Sequence, residues 1–292
     1  MNIEIVFIGG PGRSGTSFVA DRVGLHDNVT TFRDVELKIF GELHGLMDLR
    51  ISLVERFSPN RSEQAIKNFR QMFKNVCEGG YGQPKLNSLV AAPALTALMG
   101  DFLQKLQPDG YIHKIDYLTF NSAARSFLDG LAQLALEVKP SSHVFLEKTP
   151  HNLLQPQFLH EMAPRARYLH IYRHPMATAV SLLRQPWGPD KLENACIWVN
   201  SYFQAWHEAC AWLQRMDLPV MDLKIEAIST APEQFSTEVC AHLGLVDKPE
   251  LFNGANLETL ERWQRQIGDE DKTVLHDRLG QTCASLGYNN LL

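Results

Sequence analysis

The chain has 292 residues, a formal net charge of −5, 45% apolar residues and 21% charged ones. This is the balance of a globular protein long enough to bury a sizeable core, and the negative charge argues against nucleic-acid binding or a polybasic membrane contact. No apolar run reaches the roughly 18 residues that a membrane helix needs, so no stable membrane insertion is expected. Met1-Asn2-Ile3-Glu4 has no basic leader, which predicts a cytoplasmic protein. The five cysteines, Cys77, Cys196, Cys210, Cys240 and Cys283, contain no C-x-x-C pair and read as reduced, buried thiols rather than metal ligands.

The first predicted element is a strand over Ile3–Ile8, followed by the loop G-G-P-G-R-S-G-T-S from Gly9 to Ser17 and then a helical pattern. From about Phe40 to Pro108 the periodicity is helical, broken at Ser58-Pro59 and at Gly79-Gly80-Tyr81-Gly82. This segment is expected to be a helical cap over residues 40–110, inserted between the first two strands, with the glycine turn as a mobile loop. Further strands are expected at Tyr111–Ile115, Val144–Leu146, Tyr168–Tyr172 and Val220–Leu223. Trp198, Tyr202, Trp206 and Leu213 recur near helical spacing in Ala195–Arg215, which reads as a core stripe. Strands alternating with long helices predict an α/β fold, a parallel sheet flanked by helices, in a single domain over residues 1–292. Ligands of such sheets sit at the carboxyl ends of the strands. There the sequence offers Arg13, Glu147-Lys148 and Arg173.

Strand, glycine-rich loop and helix together describe a phosphate cradle. Glycines let the backbone approach an anion, and the helix start adds unpaired N–H donors and a positive dipole end. Gly10 and Gly15 have the spacing of G-x-x-x-x-G-K-[ST], but Thr16 occupies the position of the lysine that reaches the β- and γ-phosphates of a nucleoside triphosphate. The cation of this loop is Arg13, and Gly12, Ser14, Gly15, Thr16 and Ser17 complete the candidate anion site. A second anion site is expected at Arg173-His174-Pro175, where a strand-end arginine precedes a helix with proline as its first residue. Ser181 lies about 9 Å further along that helix, so that Arg173 and Ser181 can hold one phosphate from two sides.

Gly10–Ser17 and Arg173–Ser181 resemble the 5′-phosphosulfate loop and the 3′-phosphate site of sulfotransferases that use 3′-phosphoadenosine 5′-phosphosulfate (PAPS). Glu147-Lys148-Thr149-Pro150-His151 resembles the E-K-T-P motif of the bacterial and tyrosylprotein branch. Asp222–Glu226 resembles its strand ending V-x-Y-E, while Arg262-Trp263 and Leu286-Gly287-Tyr288 resemble its C-terminal closure. The resemblance spans Ile3 to Tyr288 apart from the cap. It implies a P-loop-type fold, PAPS as the donor with adenosine 3′,5′-bisphosphate as product, and a hydroxyl or amine acceptor on a small molecule or peptide. Arg13 would then bridge the sulfuryl group and the leaving phosphate, and Lys148 would stabilise the leaving oxygen.

The resemblance also implies a carboxylate base shortly after the first helix. The family's G-E pair is not reproduced in His26–Glu36, so Asp34 and Glu36 both qualify; one inserted residue brings Glu36 into register. Cytosolic sulfotransferases use a histidine, which keeps His113 and His151 open. Two other readings remain for the loop: a P-loop kinase-like phosphotransferase, which the missing lysine disfavours, and a non-catalytic nucleotide-binding protein.

Overall fold

A computed structural model describes residues 3–254, 260 and 262–288. Five strands form one parallel sheet: β1 (Glu4–Gly9), β2 (Val29–Thr30), β3 (Val144–Lys148), β4 (Arg167–Tyr172) and β5 (Val220–Lys224), in the order β2-β3-β1-β4-β5. β3 and the apolar positions of β1 are buried almost without interruption, as expected for strands covered on both faces. The chain divides into two compact units, residues 1–7 with 23–167 and residues 8–22 with 168–292.

In the first unit, β2 pairs with β3 in the register Val29 to Val144. The helices of residues 40–110 follow β2: α2 (Leu46–Arg50), running into a π-turn at Ile51–Glu55, then α3 (Pro59–Glu78) and α4 (Ala92–Leu106). α3 starts at Pro59 behind Ser58 and ends at Gly79, whose φ of 83° is the left-handed backbone that closes a helix. Its buried face, Ile66, Phe69, Met72, Phe73 and Val76, has 3–4-residue spacing. Phe69 and Phe73 meet Phe127 of α5 (Tyr117–Val138) edge-on, and Phe102 of α4 joins the same cluster at 4.9 Å from Phe127. The glycine turn is a single 3₁₀ turn, Gly80–Gly82, leading into Gln83. A seven-residue helix, α6 (Pro156–Met162), follows β3.

Tyr111–Ile115 is not a strand. Tyr111 is 76% exposed, Ile115 alone is buried, and its N–H donates to the carbonyl of Leu53 in the π-turn at 3.2 Å. Asp116 then caps α5 by accepting from the Thr119 N–H at 2.8 Å. A short apolar run with one buried position lacks a face to give a sheet. The second strand is instead β2, so the helical insertion lies between β2 and β3.

In the second unit, β4 pairs with β5 from Tyr168–Val220 to Tyr172–Lys224. α1 (Thr16–Val23) follows the glycine loop, and α7 (Pro175–Leu182) follows β4. Among the described residues it also contains α8 (Leu192–Arg215), α9 (Ala227–Thr230), α10 (Pro232–Leu243) and α11 (Asp269–Ser285). Tyr202, Trp206 and Leu213 of α8 are buried, in keeping with a core stripe, while Trp198 is only half-buried and packs against Trp187. All five cysteines are buried and none is in a disulfide. No helix among the described residues is long and apolar enough to cross a membrane.

Candidate functional site

The glycine loop leaves β1 at Gly9 and turns back on itself, the Ser14 N–H donating to the Pro11 carbonyl at 3.1 Å. Ser14 is fully buried, and its hydroxyl donates to the carbonyl of Ile171 in β4 at 2.8 Å. A Cβ on Gly10 would lie 2.0 Å from that same Ile171 oxygen, so only glycine fits there. Arg13 and Gly15 are both left-handed, at φ 73° and 96°. Alternating hands of this kind turn successive N–H groups toward one concavity. The first intrahelical bond of α1 is Val19 N–H to the Gly15 carbonyl, so the N–H groups of the turn before it have no intrahelical acceptor.

Arg173 follows β4 directly, and its Nη2 donates to the Leu260 carbonyl at 2.8 Å. Burial pulls the guanidinium pKa below its ordinary value, partly offset by Glu226. A cation in that condition gains from an incoming anion. Ser181, on α7, accepts from Arg13 Nε at 3.3 Å, so the two predicted anion motifs meet in the second unit. Glu226 fixes the segment after Arg173: it accepts from the His174 N–H and from the Tyr288 hydroxyl, each at 2.9 Å. The His174 ring packs between Trp263 and Tyr288, at 5.1 and 4.6 Å, and burial together with the neighbouring Arg173 and Lys224 pushes its pKa down to about 4. At neutral pH it is an uncharged aromatic surface.

Arg13, Ser14, Gly15, Thr16, Ser17, Arg173 and Ser181 line one cleft of about 520 Å³ in this unit; Gly12 is not part of that lining, and a Cβ there would meet Trp187 and Leu182. Arg184 and Arg262 join them, giving four arginines and no carboxylate among the described lining residues. Phe18, Ile225 and Trp263 add apolar wall. The sequence reading missed Arg184. It lies in the turn just after α7, two residues beyond the last helical position.

The other predicted site residues gather in the first unit. Lys148, at the end of β3, has a side chain only 8% exposed, and its Nζ donates to Glu36 Oε1 at 2.8 Å. Lys38 Nζ approaches the other Glu36 oxygen at 3.6 Å. Asp34 lies apart from this pair: its side chain is 54% exposed and meets Arg33 at 3.8 Å. His151 pairs with Glu42 at 3.3 Å, holding the Glu42 carboxyl below its ordinary pKa, and His113 is exposed in an irregular stretch. Glu147 is buried beside Lys148 in β3. It accepts from the Thr149 hydroxyl at 2.6 Å and from Asn152 Nδ2 at 2.8 Å, while burial pushes its pKa up to about 7. Thr149 in turn accepts the Lys38 N–H at 3.2 Å, so buried Glu147 supports the segment that carries Glu36.

A parallel α/β sheet with an arginine-walled cleft after β1 and β4 has the charge and exposed loop backbone suited to an anionic ligand. The sulfotransferase family model matches residues 5–249, and the chain belongs to that family. Its activity is accordingly that of a sulfotransferase. Among solved structures, the chain is similar to a sulfotransferase domain from the curacin biosynthetic pathway, with 15% identity, a TM-score of 0.50, and coverage of 92% of this chain and 82% of that one. It is also similar to the sulfotransferase domain of an olefin synthase from Synechococcus PCC 7002, with 17% identity, a TM-score of 0.48, and coverage of 94% and 86%. The first of these shows the shared fold. No curated protein matches the chain.

Proposed function

We propose that this sulfotransferase takes its sulfuryl group from 3′-phosphoadenosine 5′-phosphosulfate and delivers it to a hydroxyl or amine of a small or peptide acceptor. One observation carries the reading: the cleft that contains the glycine loop holds Arg13, Arg173, Arg184 and Arg262 and no carboxylate among its described lining residues. A ligand with two separate anionic groups suits this better than a Mg²⁺-bound triphosphate, whose metal calls for carboxylate or other oxygen ligands. Guanidinium groups recognise phosphate in planar, paired fashion and stay charged at any relevant pH.

In this reading the donor supplies an activated sulfuryl group on a phosphate leaving group, and the protein positions it and neutralises charge. The loop N–H groups, Thr16 and Ser17 hold the 5′ end, with Arg13 at the group that leaves. Arg173 and Ser181 hold the 3′-phosphate. Glu36 accepts the proton of the attacking hydroxyl, and Lys148 stabilises charge on the departing oxygen. The helices of residues 40–110 contribute to acceptor recognition.

The test is incubation with PAPS and a panel of hydroxyl and amine acceptors, read by mass spectrometry and by release of adenosine 3′,5′-bisphosphate. Sulfated acceptor and bisphosphate are expected in equal amounts. Phosphorylated product formed from ATP–Mg²⁺, with no reaction from PAPS, would overturn the proposal.

A further inference from the structure

Glu36 sits between two non-glycine residues in the left-handed region, Asp34 at φ 62° and Lys38 at φ 56°. Such backbone costs free energy and persists only where the surroundings hold it. On one side the restraint is the Lys38 N–H to Thr149, already described. On the other, the side chain of Gln83 adds to the Val35 N–H, which donates to the Phe32 carbonyl at 3.0 Å. Gln83 Oε1 accepts from the Glu36 N–H at 2.9 Å, and Gln83 Nε2 donates to the Glu36 carbonyl at 2.9 Å. One amide therefore satisfies both main-chain groups of Glu36, as a neighbouring strand would. Gln83 itself follows the Gly80–Gly82 turn, where Gly82 adopts φ 71° and Gly79 closes α3. The end of a cap helix is thus tied to the backbone of the carboxylate.

We propose that Gln83 is a positioning residue for the reaction: it sets the Glu36 carboxylate at its 2.8 Å distance from Lys148 and makes the cap turn and the base one mechanical unit. This rests on Glu36 being the proton acceptor. Gln83 acts through the Glu36 main chain and touches neither the donor nor the migrating group. Losing it releases the strained segment and misplaces the base by a fraction of an ångström or more, an error that costs turnover steeply while leaving binding intact.

The experiment compares Gln83→Ala and Gln83→Glu with the wild type in three readouts: kcat and KM for an accepted acceptor, Kd for adenosine 3′,5′-bisphosphate, and hydrogen exchange at the Glu36 amide. Gln83→Ala is expected to lower kcat by about ten- to a hundredfold, with KM and bisphosphate Kd within about twofold of wild type, and to accelerate exchange at Glu36. Gln83→Glu keeps the oxygen that accepts the Glu36 N–H but loses the donor to its carbonyl, so its loss of kcat is intermediate. A cooperative thermal melt, together with unchanged bisphosphate affinity, verifies that each variant is folded. A raised acceptor KM at unchanged kcat would make Gln83 an acceptor contact and overturn the proposal, as would wild-type kcat in Gln83→Ala. If the wild type sulfates nothing in the panel, the functional reading fails instead; slow Glu36 exchange that does not change in Gln83→Ala then defeats the positioning role separately.

Discussion

Glu147→Gln is the perturbation whose magnitude follows most directly from the fold. Glu147 is wholly buried in β3, and burial raises its carboxyl from an ordinary 4.5 to about 7, against the pull of the Thr149 and Asn152 hydrogen bonds and of Lys148. The folded state therefore holds the proton more tightly than the unfolded chain does. The associated stabilisation is complete below pH 4.5 and is lost as pH rises through about 7. At about 1.4 kcal/mol per pH unit between the two values, the loss is roughly 3 kcal/mol. Glutamine has the same shape and an oxygen that can still accept from Asn152, but it has no charge to bury. Thermal melts of wild type and Glu147→Gln from pH 4.5 to pH 8 isolate this group, because every other titration is common to both. At about 2 °C per kcal/mol for a chain of this size, the variant's melting temperature should gain roughly 6 °C on the wild type across that range. Parallel profiles would refute the reasoning and mean that Glu147 stays ionised in the fold, stabilised fully by its neighbours.

Four further outcomes are expected. Lys148→Ala should lower kcat by about a hundredfold, the size of losing one donor to developing charge, with bisphosphate Kd nearly unchanged; the reverse split would make Lys148 a binding residue. Glu36→Gln should cost turnover about 10²–10⁴-fold while Asp34→Asn stays close to wild type in the same steady-state assay, and the opposite order would move the base to Asp34. Arg173→Ala should weaken adenosine 3′,5′-bisphosphate by about ten- to a hundredfold in calorimetry and leave adenosine 5′-phosphosulfate, which lacks the 3′-phosphate, much less affected. Gly10→Ala puts a methyl 2.0 Å from a main-chain oxygen, so the loop must move; a stability loss of about 1–3 kcal/mol or more in urea denaturation is expected, together with lost bisphosphate binding.

The local motifs are legible in the chain because their physics is local. Apolar Ile5–Ile8, glycines at fixed offsets and the helix beginning at Thr16 announce a strand, an anion loop and a helix without any distant contact. Arg173-His174-Pro175 does the same for β4 and α7, and its family resemblance agrees with the match over residues 5–249. Long-range arrangement is less readable. β2 has only two residues, Val29 and Thr30, too few to leave a periodic trace, whereas Tyr-Ile-His-Lys-Ile at 111–115 has the composition of a strand but buries only Ile115. The spacing around His26–Glu36 admits both Asp34 and Glu36, with Glu36 brought into register by one inserted residue. Only the fold shows that Glu36 pairs with Lys148, 112 residues away in sequence, whereas Asp34 is exposed beside Arg33. Gln83, an ordinary glutamine after a glycine turn, shows nothing of its contact to Glu36 until the chain is folded.

The central claim is that the glycine loop followed by Thr16 in place of lysine serves a 3′-phosphorylated sulfuryl donor. Calorimetric titration of the wild type with adenosine 3′,5′-bisphosphate, ADP and ATP–Mg²⁺ tests it directly. The bisphosphate is expected to bind most tightly, without any requirement for Mg²⁺, and ADP more weakly for want of the 3′-phosphate that Arg173 and Ser181 would hold. Preference for ATP–Mg²⁺, or no distinction between the bisphosphate and ADP, would contradict it.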